Sequence, residues 1–182
     1  MRQLFRHPMA AVAHVMLIAT LFGCSDGETK AAPELPERIC WNVFARADVA
    51  PLLPAGEKAT LSARPFGLVE DLDSATCTLD IDGVTKFTAY ATLHDFEDQV
   101  DWAPWAKARP ETLDVGTKGI IWYDGAASYI VCEPSKTAAT PGKYIDLHIS
   151  TSDLPDEEKL RKALPALMRQ FVAFTQKELN CR

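Results

Sequence analysis

The densest run of chemically capable side chains is His94-Asp95 followed by Glu97, Asp98 and Asp101. Paired carboxylates can divide the acid and base roles of glycoside hydrolysis, or together hold a calcium ion. The spacing lacks the glycine and the ligand order of a calcium loop, so a solvated loop after a strand is the expectation. Asp80-Ile81-Asp82-Gly83 resembles a shorter calcium fragment and reads better as a turn. Trp102 and Trp105 flank Pro104 at a spacing that can share one face of a short helix within Asp101–Arg109. Such a pair could stack on a sugar or anchor a partner. Packing against a sheet is the expectation, because tryptophan is usually mostly buried.

No G-x-S-x-G, H-E-x-x-H, G-x-x-x-x-G-K-[ST] or G-x-G-x-x-G pattern occurs, and beyond residue 24 the only histidines are His94 and His148. The sequence therefore nominates no catalytic residue, no metal ligand and no cofactor. Two function classes stay open: a binding or interaction module, and a hydrolase using carboxylates between Asp95 and Asp101.

The first residues speak to compartment. Arg2 and Arg6 precede an apolar run of about fifteen residues, Met9–Gly23, interrupted by His14 and ending at Cys24. A spanning helix needs about 20 apolar residues, and the polar Ser25-Asp26-Gly27 that follows is no stop-transfer cluster. Residues 1–23 are read as a signal peptide. Leu21-Phe22-Gly23-Cys24 resembles the lipobox of bacterial lipoproteins, although Phe22 is larger than the residue usual at its position. The resemblance implies a diacylglyceryl group on Cys24 and residence at the outer face of the cell membrane, since two acyl chains hold a protein where one binds only reversibly.

Cysteine usage agrees. Setting Cys24 aside leaves Cys40, Cys77, Cys132 and Cys181, an even set with no C-x-x-C pair, as expected of structural disulfides in an oxidising compartment. Four cysteines allow three connectivities. Cys40 with Cys77 and Cys132 with Cys181 is the chosen pairing, because it joins neighbours in the chain and fastens a helix to the sheet at each bridge.

Without residues 1–23 the chain loses Arg2 and Arg6 and keeps 17 basic against 25 acidic residues, a net charge of −8. A domain so acidic repels nucleic acid, which is excluded as a partner. The partners left are the membrane through the lipid on Cys24, and an envelope protein or small-molecule ligand. Residues 24–37 are polar and proline-containing and read as a flexible tether with a reach of roughly 20 Å. Residues 38–182 form one domain.

The elements that must position the candidate residues follow from periodicity. Arg38–Leu53 reads as two short helical pieces, with Asp48 as an N-cap, Pro51 in a first turn, Leu52 and Leu53 inward, and Pro54-Ala55-Gly56 as the stop. Thr76–Asp82 alternates with Cys77, Leu79 and Ile81 on one face, and a hairpin at Asp82-Gly83 leads into Thr85–Leu93. A two-residue loop would pair Ile81 with Val84. A bulged three-residue loop that pairs Ile81 with Thr85 is favoured, because it turns Phe87 and Ala89 to the buried face.

Gly119–Tyr123 and Ala126–Cys132 flank an Asp124-Gly125 turn, with Ile121, Tyr123, Ala126, Ile130 and Cys132 on one face and Trp122, Tyr129 and Val131 on the other. Both faces are apolar, so a central hairpin is expected. Lys143–Ser150 is a further strand. A long C-terminal helix opens at Asp153 or Pro155 with Leu160, Leu164, Leu167, Met168, Phe171 and Thr175 in one stripe, and Pro165 either kinks it or starts its second half. The fold class is α+β: a mainly antiparallel sheet with helices packed on one face.

Cys40-Trp41-Asn42-Val43-Phe44, Ala47 to Pro54, Cys77, Lys118-Gly119-Ile120-Ile121-Trp122-Tyr123 and the ending Leu179-Asn180-Cys181 together resemble small secreted actinobacterial lipoproteins, Streptomyces-like and of unknown function. The resemblance implies an envelope location and a two-disulfide α+β domain. It carries no activity over.

Overall fold

The computed structural model describes residues 33–69, 72–152 and 157–181, the side chains of Trp105 and Glu157 excepted. The segment read as a signal peptide, Cys24, most of the expected tether and the expected helix start at Asp153 or Pro155 lie outside the described residues.

A two-stranded ribbon, β1 (Arg38–Ile39) and β2 (Phe44–Ala45), leads into the single-turn α1 (Arg46–Val49) and a 3-10 turn at Ala50–Leu52. The main sheet contains β3 (Ala59–Ala63), β4 (Ser74–Ile81), β5 (Val84–His94), β6 (Glu111–Leu113), β7 (Lys118–Trp122), β8 (Gly125–Glu133) and β9 (Lys143–Thr151). Its spatial order is β3-β4-β5-β9-β8-β7-β6, and every neighbouring pair is antiparallel. Two three-stranded meanders thus meet at β9. The long helix α3 (Glu157–Glu178) covers one face, and the single-turn α2 (Ala103–Ala106) lies in the segment joining β5 to the distant edge strand β6. This is the expected α+β class.

The period-3.6 stripe of α3 is fully buried: Leu160, Leu164, Leu167, Met168, Phe171 and Thr175 show no exposure. They meet the period-2 faces of the strands, Ala75, Cys77, Leu79 and Ile81 of β4, Phe87, Ala89 and Ala91 of β5, and Ile145, Leu147 and Ile149 of β9. Pro165 sits inside α3 without ending it.

The segment Arg38–Phe44 is not helical in the expected sense. Cys40, Trp41 and Asn42 have φ of 47°, 58° and 63°, a left-handed turn closed by Val43 N–H donating to the Cys40 carbonyl at 2.9 Å. Each such residue costs roughly 1–2 kcal/mol. Trp41 holds the turn in place: its indole N–H donates to the Arg64 carbonyl at 2.6 Å, and its ring stacks on Phe171 at 5.8 Å. Asp48 does not cap α1. Ala45 occupies that position with no side-chain bond, and Asp48 instead accepts from Gln170 Nε2 of α3 at 2.9 Å. Packing begins ahead of residue 38, since Leu35 is buried and its carbonyl accepts from Arg46 Nη1 at 3.0 Å.

Both hairpin tips differ from expectation by one step. Ile81 pairs with Val84 around a two-residue Asp82-Gly83 turn, φ 51° and 81°, and the register shift falls between Leu79 and Asp80. Lys86 is the extra residue, so Phe87 and Ala89 reach the buried face as the bulged loop required, through a bulge placed after the tip. In the other hairpin Trp122 pairs with Gly125, which makes Tyr123-Asp124 the turn and leaves Tyr123 56% exposed instead of beside Ile121. Gly125 serves close packing: a Cβ there would strike the Trp122 ring and come within 2.7 Å of the Ile149 carbonyl. The central strand is β9, with this hairpin alongside it.

Disulfides join Cys40 to Cys77 and Cys132 to Cys181, as chosen from the chain order. Both are compatible with an extracytoplasmic location.

Candidate functional site

The sheet face away from α3 is where unusual side chains collect. Between β5 and β6 the chain crosses over β9, β8 and β7 on this face, and Trp102 and Ala108 cover a small apolar cluster of Ile120, Trp122 and Ala127. That crossing explains why both faces of the β7–β8 hairpin are apolar. Trp102 meets Tyr129 edge-on at 5.8 Å, and Lys118 Nζ sits 4.5 Å from its ring centroid. The packing role expected of Trp102 is therefore observed. The side chain of Trp105 lies outside the described residues.

Beneath this cover β9 alternates Asp146 and His148 onto the same face, opposite Thr92 and Tyr90 of β5 and Tyr129 and Ala127 of β8. Burial pushes the Asp146 carboxyl up to about 6. The Trp102 indole N–H and the Leu147 backbone N–H partly offset that rise, the former by electrostatic proximity short of hydrogen-bond geometry. Burial likewise pushes His148 down to about 4, with the Asp124 charge opposing, and Trp122 stacks on its ring at 5.3 Å. At neutral pH the site thus holds a desolvated carboxylate and a neutral imidazole, both framed by tryptophans.

These two shifts act on stability with opposite sign. Asp146 takes up its proton more readily when folded, so its contribution falls as pH rises from 3.8 through about 6 and is fully lost above that. His148 resists protonation when folded, so its contribution falls as pH drops from 6.5 through about 4. Each is on the order of 3 kcal/mol, and their windows overlap. Asp146→Asn should raise stability above pH 7 and expose a decline on acidification that the wild-type chain largely cancels. Thermal melts from pH 4 to 8 test this; a variant whose pH profile parallels wild type would remove the argument.

The carboxylates singled out from sequence are dispersed. Glu97 accepts from the Tyr129 hydroxyl at 2.5 Å, which raises the phenol to about 12 chiefly through that bond. Asp101 Oδ1 accepts from Ala103 N–H at 2.8 Å at the start of α2, while Asp98 lies in the 3-10 turn Glu97–Gln99. His94 and Asp95 line a shallow cleft of about 330 Å³ with Asp73, Leu93 and Gln99. Burial lowers the His94 pKa, and Asp73 and Asp95 oppose that shift. Asp73, nineteen positions before Thr92 on another strand end, carried no local signal. Among the described residues no three His, Cys, Asp or Glu side chains gather as a metal site. Asp82 is a turn residue whose carboxylate accepts from the backbone N–H groups of Glu57 and Lys58 at 2.9–3.2 Å.

A larger cleft, about 500 Å³, opens at the β6 edge between Ala108, Arg109, Glu111, Trp122, Tyr123 and Arg161. It combines two guanidiniums, one carboxylate and two aromatic rings from three separate stretches of chain, which no local spacing could announce.

Fold and surface together define a two-disulfide α+β domain with a polar and aromatic sheet face. No protein-family model, curated protein or solved structure matches the chain.

Proposed function

We propose that the chain is an exported bacterial lipoprotein, held at the outer face of the membrane by acyl groups on Cys24, whose domain is a non-catalytic binding or interaction module of the envelope. The observation that carries this reading is the pairing of Cys40 with Cys77 and Cys132 with Cys181. It leaves Cys24, at the end of the apolar leader, without an intrachain cysteine to join. The resemblance to actinobacterial lipoproteins points the same way. A binding role is favoured over hydrolysis because Glu97 is engaged by the Tyr129 hydroxyl and Asp101 by the start of α2, which leaves Asp95 as the one carboxylate of that run lining a cleft described above.

Eleven chain steps separate Cys24 from the buried Leu35, a span of at most about 40 Å however they are folded. An acylated Cys24 would keep the domain close to the bilayer. Cys24→Ala is expected to shift the protein out of the membrane fraction or leave it unprocessed, and mass spectrometry of the native N-terminus should find lipid on Cys24. An unmodified mature terminus at another residue would sink this reading.

A further inference from the structure

We propose that the cleft at the β6 edge binds a small anionic ligand whose oxyanion, carboxylate or phosphate, is attached to a ring. The inference rests on the binding-module reading and names the ligand chemistry that the module takes.

Charge is the first argument. The mature chain is strongly acidic, yet the residues lining this cleft carry Arg109 and Arg161 against the single carboxylate of Glu111. Arg161 Nη1 lies 2.6 Å from Glu111 Oε1, a contact that fixes the guanidinium at the cleft wall. Asp124 accepts from the Tyr123 hydroxyl and keeps its negative charge beside the site, raising the Tyr123 pKa. The selection for anions therefore comes from the planar guanidiniums, whose donor geometry matches carboxylate and phosphate, and not from a net positive field.

Backbone conformation is the second. Arg109 has φ 51° and directly precedes Pro110. A left-handed conformation is unfavourable for a residue with a long side chain, and a following proline narrows the allowed region further. Its backbone N–H bonds to the Ala106 carbonyl at 3.3 Å, closing the turn that ends the crossing segment. Strain of this type, in a residue that lines a cleft and could have been glycine, marks a side chain placed for use.

The aromatic walls are the third. Trp122 is held by its stack on His148 and is only 5% exposed, so it offers the cleft a rigid edge, while Tyr123 stands 56% exposed at the hairpin tip beside it. An exposed ring over that edge, beside two arginines, suits a ligand with a flat or hexose-like body as well as a negative charge.

The test is nuclear magnetic resonance titration of the disulfide-bonded domain with three probes: glucuronate, glucose and glucose 6-phosphate. Glucuronate, glucose 6-phosphate or both should shift Tyr123, Trp122 and Arg109 signals with saturation, while glucose at equal concentration should not; which anion binds separates a carboxylate from a phosphate source. Arg109→Gln should weaken the binding at least tenfold. Arg161→Gln should likewise weaken it, and Glu111→Gln, which removes the carboxylate that competes for Arg161, should strengthen it. Equal shifts with glucose, or full binding by Arg109→Gln, would overturn the proposal. Saturable shifts confined to other surfaces would overturn the cleft while leaving a binding module, and no shift with either anion would overturn the ligand class without touching the Cys24 result.

Discussion

Replacing Cys40 and Cys77 together by alanine is expected to cost about 4 kcal/mol of folding stability. The bond closes a separation of 37 residues, and chain entropy alone gives roughly that figure. A local rearrangement accompanies it. The bond anchors the first of three consecutive left-handed residues, a conformation that Cys40, Trp41 and Asn42 would not hold without an external constraint. Freed of it, the turn can relax towards ordinary backbone, drawing Trp41 away from Phe66, Phe171 and Phe174. Urea unfolding should show the midpoint falling sharply, and the folded variant should show altered tryptophan emission. A midpoint within about 1 kcal/mol of wild type would mean that the bond constrains little.

Phe171→Ala should cost a comparable 3–5 kcal/mol, for a different reason. Phe171 is fully buried and contacts Trp41, Phe44 and Phe66 at centroid distances of 5.8, 5.8 and 6.4 Å. Neighbours on every side belong to different elements, one of them cross-linked, so the cavity has little room to collapse. Differential scanning calorimetry should register a fall in Tm of many degrees. Phe174→Ala is the control: that ring is only partly buried, so a similar loss there would point to the helix and not to the cavity.

Much of the fold was legible because burial on one side writes a period into the chain. The α3 stripe and the β4 alternation came directly from Leu160 to Thr175 and from Cys77, Leu79 and Ile81. What failed was local geometry with two solutions of equal pattern. A bulge before or after Asp82-Gly83 turns Phe87 inward equally well, and Asp124-Gly125 reads as a turn although Gly125 is needed for its missing Cβ against Trp122. Handedness is invisible too, so the apolar spacing of Arg38–Phe44 suggested a helix where the turn is left-handed. The candidate site was the least legible. Asp146 and His148 occupy the outward positions of an alternating strand, and only the passage of residues 95–109 across the sheet makes them half-buried. Arg109, Trp122 and Arg161 come together solely through long-range folding.

The place of β9 has a consequence for how the protein is made. Among the described residues this strand is the last in sequence, yet it sits between β5 and β8 and is the one that bonds to both meanders. Until residues 143–151 are available, the β3–β5 and β6–β8 strands as described have no ladder joining them, and α3 has no completed floor. Sheet closure therefore waits on residues 143–151, and pairing of β9 with the distant β5 is the kind of long-range contact that forms slowly. A chain threaded N-terminus first through a narrow channel would keep the two meanders apart until β9 emerged, so late assembly suits passage across a membrane in an unfolded state.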